Sequence, residues 1–234
     1  MKKCLVILVA ISMVSIPITA LAAQFNREEA YTLNKGERIN GDLYSAGERT
    51  VISGIVDGDV FMAGGTLVMD GTVNQDLLAA GGTIVVSGTV RDDIRIAGGT
   101  VMISGPISGD LIVAGGSVHL LSSGSVGGDV ILAGGTMAIE GLVRGMVIGV
   151  GGDMILNSRI MGPVKVNAKR LTLGSSALLE NNLEYSTRQE ATVTQGAQVR
   201  GTTEFHKRII ERDAQRAVAG ILGFAYFMKF LMAI

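Results

Sequence analysis

The chain has 234 residues, 33 of them Gly, with no Trp, a single Cys and a formal net charge of −1. That balance excludes a basic nucleic-acid-binding surface, and one cysteine excludes a disulfide framework. Abundant glycine with 4% aromatics suits a thin repeat with many turns rather than one large globular core.

Residues 1–22 read as a signal peptide. Lys2 and Lys3 form the positive start, an apolar run begins at Leu5, and Ala20-Leu21-Ala22 is the small-residue cleavage pattern. An uncleaved anchor is the alternative. Cleavage removes Cys4 and two lysines, taking the charge from −1 to −1 − 2 = −3. Residues 23–41 follow as an N-terminal cap or linker.

From Asp42 to Gly201 one phrase recurs. Asp59-Val60-Phe61-Met62-Ala63-Gly64-Gly65-Thr66 returns as Asp76-Leu77-Leu78-Ala79-Ala80-Gly81-Gly82-Thr83 and again from Asp93, Asp110 and Asp129. The starts are Asp42, Asp59, Asp76, Asp93, Asp110, Asp129, Met146, Pro163 and Leu183, spaced by 17 to 20 residues. A fixed short period marks a stacked solenoid. Apolar residues alternate within each phrase, which is the period of a strand. Four columns stay apolar throughout, headed by Val60, Leu67, Met69 and Val73.

The fold class is therefore all-β, a single-stranded parallel β-helix of about nine coils of 17–20 residues. At ~4.8 Å per coil the rod is roughly 43 Å long. Ala-Gly-Gly-Thr is expected to supply one turn, because Gly accepts positive φ. The two extra residues of the fifth coil fall in Ser122-Ser123-Gly124, a turn-like cluster. A left-handed hexapeptide helix wants a period in strict sixths, which 17 does not give. A calcium-loaded nonapeptide roll wants Gly-x-Asp after the Gly pair, where this chain has Thr and aliphatics. On this reading Leu43 and Val51 are the apolar residues of the end coil.

Past Gly201 the strand pattern stops. Residues 202–216 read as a charged helical linker, with Arg208, Arg212 and Arg216 four apart. Residues 217–234 are apolar except for Lys229 and read as a transmembrane helix, truncated or a tail anchor. Eighteen residues span roughly 27 Å. The signal places the β-helix outside the cytoplasm, in the cell envelope. The basic residues Lys207, Arg208, Arg212 and Arg216 would favour the opposite orientation, but an exported folded domain overrides modest loop charge.

Chemistry is sparse. One carboxylate per coil, in Asp42, Asp59, Asp76, Asp93, Asp110 and Asp129, is the weak metal candidate. A turn residue bonding its own backbone is the better account. Thr66, Thr83, Thr100, Ser117 and Thr136 form a hydroxyl column, best read as hydrogen-bonded along a turn. Arg91, Arg95 and Arg144 are scattered, and His119 and His206 stand singly. A lyase built on a β-helix needs an acid cluster, a proton-abstracting base and a long-looped cleft. No catalytic residue, metal site or cofactor is assigned, and the chain is read as not an enzyme.

The repeated Gly-Asp-Val-x-x-Ala-Gly-Gly-Thr-x-x-x-x-Gly-x-Val is clearest from Gly58 to Val73 and from Gly128 to Val143. It resembles the bactofilins, polymer-forming cytoskeletal proteins of bacteria, over about Asp42 to Gly174. The resemblance implies a right-handed β-helix that polymerises end to end without nucleotide, often at the membrane, as a scaffold for envelope machinery. The export signal and the C-terminal span depart from the usual bactofilin and look like a membrane-anchored branch. The expected function is a non-enzymatic, membrane-anchored scaffold of the cell envelope, with itself and the membrane as partners. The alternative is a monomeric exported β-helix binding envelope polysaccharide or a protein along one face.

Overall fold

The computed structural model describes residues 24–26 and 29–207. They form an all-β parallel solenoid. From Leu43 to Leu179 each repeat contributes one ten-residue strand, such as Val60–Met69, and one two-residue strand, such as Thr72–Val73. Between Leu43 and Leu179 long strands pair with long strands and short with short, always in parallel; at the two ends shorter strands such as Ala30–Leu33 and Thr192–Val193 pair with long ones. The short strands make a ten-stranded sheet, so the solenoid has ten turns rather than nine.

The tenth turn lies at the N-terminal end. Gln24–Asn26 pairs with Leu43–Ser45, Ala30–Leu33 with Arg49–Ile52, and Arg38–Ile39 with Ile55–Val56. The segment read as a cap or linker is thus itself a strand-paired coil. Its register puts Gln24, Asn26 and Tyr31 beside Leu43, Ser45 and Thr50, which is why the apolar signature fades there. Leu43 is consequently an interior residue of the second coil, and Val51 faces outward, half-buried. Neither marks the end of the rod.

At the other end Val164 pairs with Leu183, so Pro163 stands beside Asn182, one position before the assigned start. Thr203–Lys207 is a strand paired with Leu183–Thr187. The helical reading therefore fails for Glu204–Lys207, because their backbone groups continue the ladder. Arg208, Arg212 and Arg216, the apolar 217–234 and the signal segment 1–22 lie outside the described residues. Among the described residues no helix is long and apolar enough to cross a membrane.

The four apolar columns fill the interior. Members such as Leu77, Ile84, Val86 and Val90 are fully buried. A fifth column runs through Met62, Ala79, Ile96, Val113, Leu132 and Val166. It closes around Gly149, where the Met154 sulfur takes the space a Cβ would need, 2.3 Å away. One short sequence thus faces the interior on three sides of every coil, with each aliphatic packed on its equivalent one coil above and below.

The Ala-Gly-Gly-Thr element is not a positive-φ turn. It lies inside the ten-residue strand, and none of Gly64, Gly65, Gly81, Gly82, Gly98 or Gly99 has positive φ. The strand bends there, and the inward parity switches between Met62 and Leu67. Glycine is required by proximity: a Cβ on Gly64 would lie 1.8 Å from the Gly47 carbonyl oxygen, and one on Gly81 2.6 Å from that of Gly64. A second corner repeats the logic, with Gly88 and Gly105 each facing a carbonyl of the coil before at 2.0 and 1.8 Å.

Candidate interaction surfaces

The aspartate column occupies the corner before each long strand. Each Oδ1 accepts the backbone N–H of the next coil's equivalent residue. Asp59 N donates to Asp42, Asp76 N to Asp59 and Asp93 N to Asp76, at 3.0, 3.0 and 3.1 Å. Asp110, Asp129 and Met146 continue the ladder at 2.8, 2.8 and 2.7 Å. The partner lies one coil on rather than in the residue's own turn. Next in this column Met146 brings no carboxylate and Pro163 no N–H, so the ladder breaks there; it resumes where Thr202 N donates to Asn182 Oδ1 at 3.0 Å.

The carboxylates of Asp76, Asp92 and Asp93 converge within 4.8 Å. Arg95 spans two of them, donating to Oδ2 of Asp76 and of Asp93, each at 2.8 Å. In Asp76 and in Asp93, Oδ1 accepts the next coil's backbone N–H while Oδ2 accepts from Arg95. Burial raises the Asp59 carboxyl above the ordinary range; a backbone hydrogen bond from Asp76 opposes that, and the carboxylates of Asp76, Asp42 and Asp92 add to it.

The hydroxyl column is half-buried from Thr66 to Ser117 and exposed at Thr136. Among the described residues it makes no hydrogen bond from coil to coil. Ser117 Oγ instead meets His119 Nε2 at 2.9 Å. The two are two residues apart, and residues two apart on a strand share a face. Their ladder neighbours are Thr100, Thr136, Met102 and Ala138, none of them a carboxylate that could orient the imidazole. The column ends in charge: Thr136 stands beside Asp153, and Asp153 beside Arg170. Arg170 Nε donates to Asp153 at 2.7 Å, and this hydrogen bond holds the Asp153 carboxyl below its ordinary range. His206 lies 4.0 Å from Glu184. Among the described residues Arg91 and Arg144 form no ion pair or acid–base set.

The outer face of the first side of each coil carries a feature that inward-column reasoning missed. Its outward residues are apolar too. One column reads Tyr44, Phe61, Leu78, Arg95, Ile112, Ile131 and Ile148; beside it runs Ala46, Ala63, Ala80, Ala97, Ala114, Ala133 and Val150. Tyr44 and Phe61 stack with centroids 4.5 Å apart and planes 1° from parallel. Ile131 and Val150 are 39% and 47% exposed. The signal was present as a second set of apolar positions recurring once per coil, broken only at Arg95, at the opposite parity. Toward the C-terminal end the face turns polar, and Lys165 pairs with Glu184 at 3.2 Å. An open depression of about 210 Å³ lies there, floored by Gly149 and Val166.

No family model, curated protein or solved structure matches this chain. The bactofilin resemblance rests on the repeat alone.

Proposed function

We propose that this protein is a non-enzymatic, membrane-anchored scaffold of the cell envelope that assembles end to end through its β-helix without nucleotide. One observation carries the reading. The rod is built from parallel ladders whose first and last strands each pair on one side only among the described residues. An unpaired parallel edge is a template for another copy. Among the described residues the side walls supply no long-looped cleft, and what they offer is edges and faces.

A second reading has its own support. The outward column from Tyr44 to Ile148 would suit a monomeric rod that binds envelope polysaccharide or a protein along one face, since stacked aromatics offer an apolar platform.

The two readings separate in electron microscopy of the full chain in detergent, without nucleotide or metal. The carbonyls of Glu29 and Leu33 accept from Arg49 and Ser53. By the alternation of a parallel strand, Thr32 directs its backbone groups away from the stack. Thr32→Pro removes that edge donor and leaves the inner ladder intact. Filaments from the native chain and short rods from Thr32→Pro are the expected outcome. Single rods from the native chain at every concentration would overturn end-to-end assembly and leave the face-binding reading.

A further inference from the structure

We infer that the outward apolar face is a lateral docking surface for a second copy of this chain, with the two rods parallel and in register. The inference deepens the scaffold reading by naming what binds the rod's side.

Three features of the face argue for it. The first is relief. Tyr44, Phe61, Leu78, Ile112, Ile131 and Ile148 form a ridge, and the alanines two residues further along each strand form a groove beside it. A two-fold axis running along the rod lays the ridge of one copy into the groove of the other. A two-fold across the rod would set ridge on ridge. Relief therefore selects the parallel pair and places Ile112 of one copy opposite Ala114 of the other.

The second is period. The face repeats once per coil, and a second copy has the same spacing by construction. Every coil then finds an equivalent partner at one height, which a surface of another period cannot provide.

The third is charge. Arg95 is the one ionic residue in the ridge between Tyr44 and Ile148. It reaches sideways to Asp76 and Asp93 and is neutralised at the edge of the face. In the parallel pair it faces Ala97, so no like charges meet. Lys165 and Glu184 mark where the apolar face stops.

Area sets how the contact is used. Seven coils at ~4.8 Å by four residues at ~3.3 Å give a footprint of roughly 450 Å². A stable interface takes about 800 Å² from each partner. One rod alone therefore pairs weakly, and rods joined end to end add their footprints, so pairing strengthens with filament length.

The test is site-specific crosslinking of the full chain in membranes, in a Cys4→Ser background. Chains carrying Ile112→Cys are mixed with chains carrying Ala114→Cys and treated with a short bismaleimide. The expected result is a mixed dimer at least tenfold above that from Thr136→Cys, which lies on another side. Crosslinking of Phe61→Cys to Ile131→Cys instead would show the antiparallel pair and overturn the assignment. No same-coil product at any concentration would also overturn it. Protection of Ile112→Cys by anionic phospholipid vesicles, without copy-to-copy product, would assign the face to lipid and overturn it too. Leu78→Asp with Ile131→Asp should abolish the product while the β-sheet circular dichroism stays native. Microscopy of the same samples keeps the two proposals apart: single-file filaments without crosslinks sink the lateral pair and leave end-to-end assembly standing.

Discussion

The coils from Val60 to Val143 and those from Ser158 to Lys207 fold alike but are held differently. In the first region both corners are glycine, stacked on a carbonyl of the coil before. In the second, Ala168 takes the place beside Gly151, and Ser158 and Ala177 stand where the second-corner glycines stood. Ala168 and Ala177 are nonetheless almost fully buried. The second region thus turns its corners with enough room for a Cβ. Its ladder column carries no aspartate and keeps one such bond, from Thr202 N to Asn182 Oδ1 at 3.0 Å, beside ion pairs such as Arg159 with Glu180 at 2.6 Å and Lys165 with Glu184 at 3.2 Å. The lesson is that one backbone path has two corner solutions, one with glycine against a carbonyl and one that admits a Cβ.

The largest break in the comparison is a corner exchange. Gly105→Ala puts a Cβ 1.8 Å from the Gly88 oxygen and should cost about 4 kcal/mol in urea denaturation, while Ala177→Gly should cost about 1 kcal/mol. Equal costs would show that both corners have the same room. Next comes the interior. Leu111→Ala should cost about 3 kcal/mol, because the fully buried site is walled by like residues above and below. Val193→Ala, 60% exposed in the last turn, should stay within about 0.5 kcal/mol.

A smaller effect sharpens the ladder. Asp59→Ala leaves the Asp76 N–H without its acceptor and should cost about 1–2 kcal/mol. Asp59→Asn keeps an oxygen in place and removes a like charge, so it should be neutral or mildly stabilising at pH 7.

The smallest effect is in acid, where two carboxylates, Asp59 and Asp153, move in opposite directions. The Asp59 carboxyl is raised, so the folded chain holds this proton more tightly than the unfolded chain. Its contribution is most favourable in acid and is lost as pH rises through the raised value. The Asp153 carboxyl is lowered by Arg170, so its contribution is present above the ordinary carboxylate range and lost as pH falls through the lowered value. Thermal melts from acid to neutral pH should show Asp59→Asn gaining relative to the native chain as pH rises, and Asp153→Asn losing. High salt should erase the second difference, because that pair is exposed.

Much of this was legible in sequence because a 17-residue period forces each column to keep one chemistry. Val60, Leu67, Met69 and Val73 could be read as interior from spacing alone, and the structure buries them fully. Gly64 and Gly65 were misread for a physical reason. Positive φ and close backbone approach both select glycine, and composition cannot tell them apart. The first coil escaped because Gln24, Asn26 and Tyr31 stand in columns that are apolar elsewhere, leaving Leu33 and Ile39 as its buried trace. Ser117 and His119 meet only because the strand returns every second side chain to one face. The outward ridge is masked in the sequence because a strand with one apolar parity already satisfies the expectation of a half-buried sheet.

The aspartate ladder has a consequence for how such a rod changes size. Each coil asks of its neighbour only what a copy of itself would supply: an N–H for the carboxylate, a bare carbonyl at the glycine, an aliphatic for each column. Duplicating a stretch such as Asp76–Asp92 would therefore insert a coil whose needs are met on both sides, lengthening the rod by one step without a compensating change elsewhere. Rod length then becomes a heritable dial that turns in whole notches, and relatives of this chain should differ by multiples of one coil.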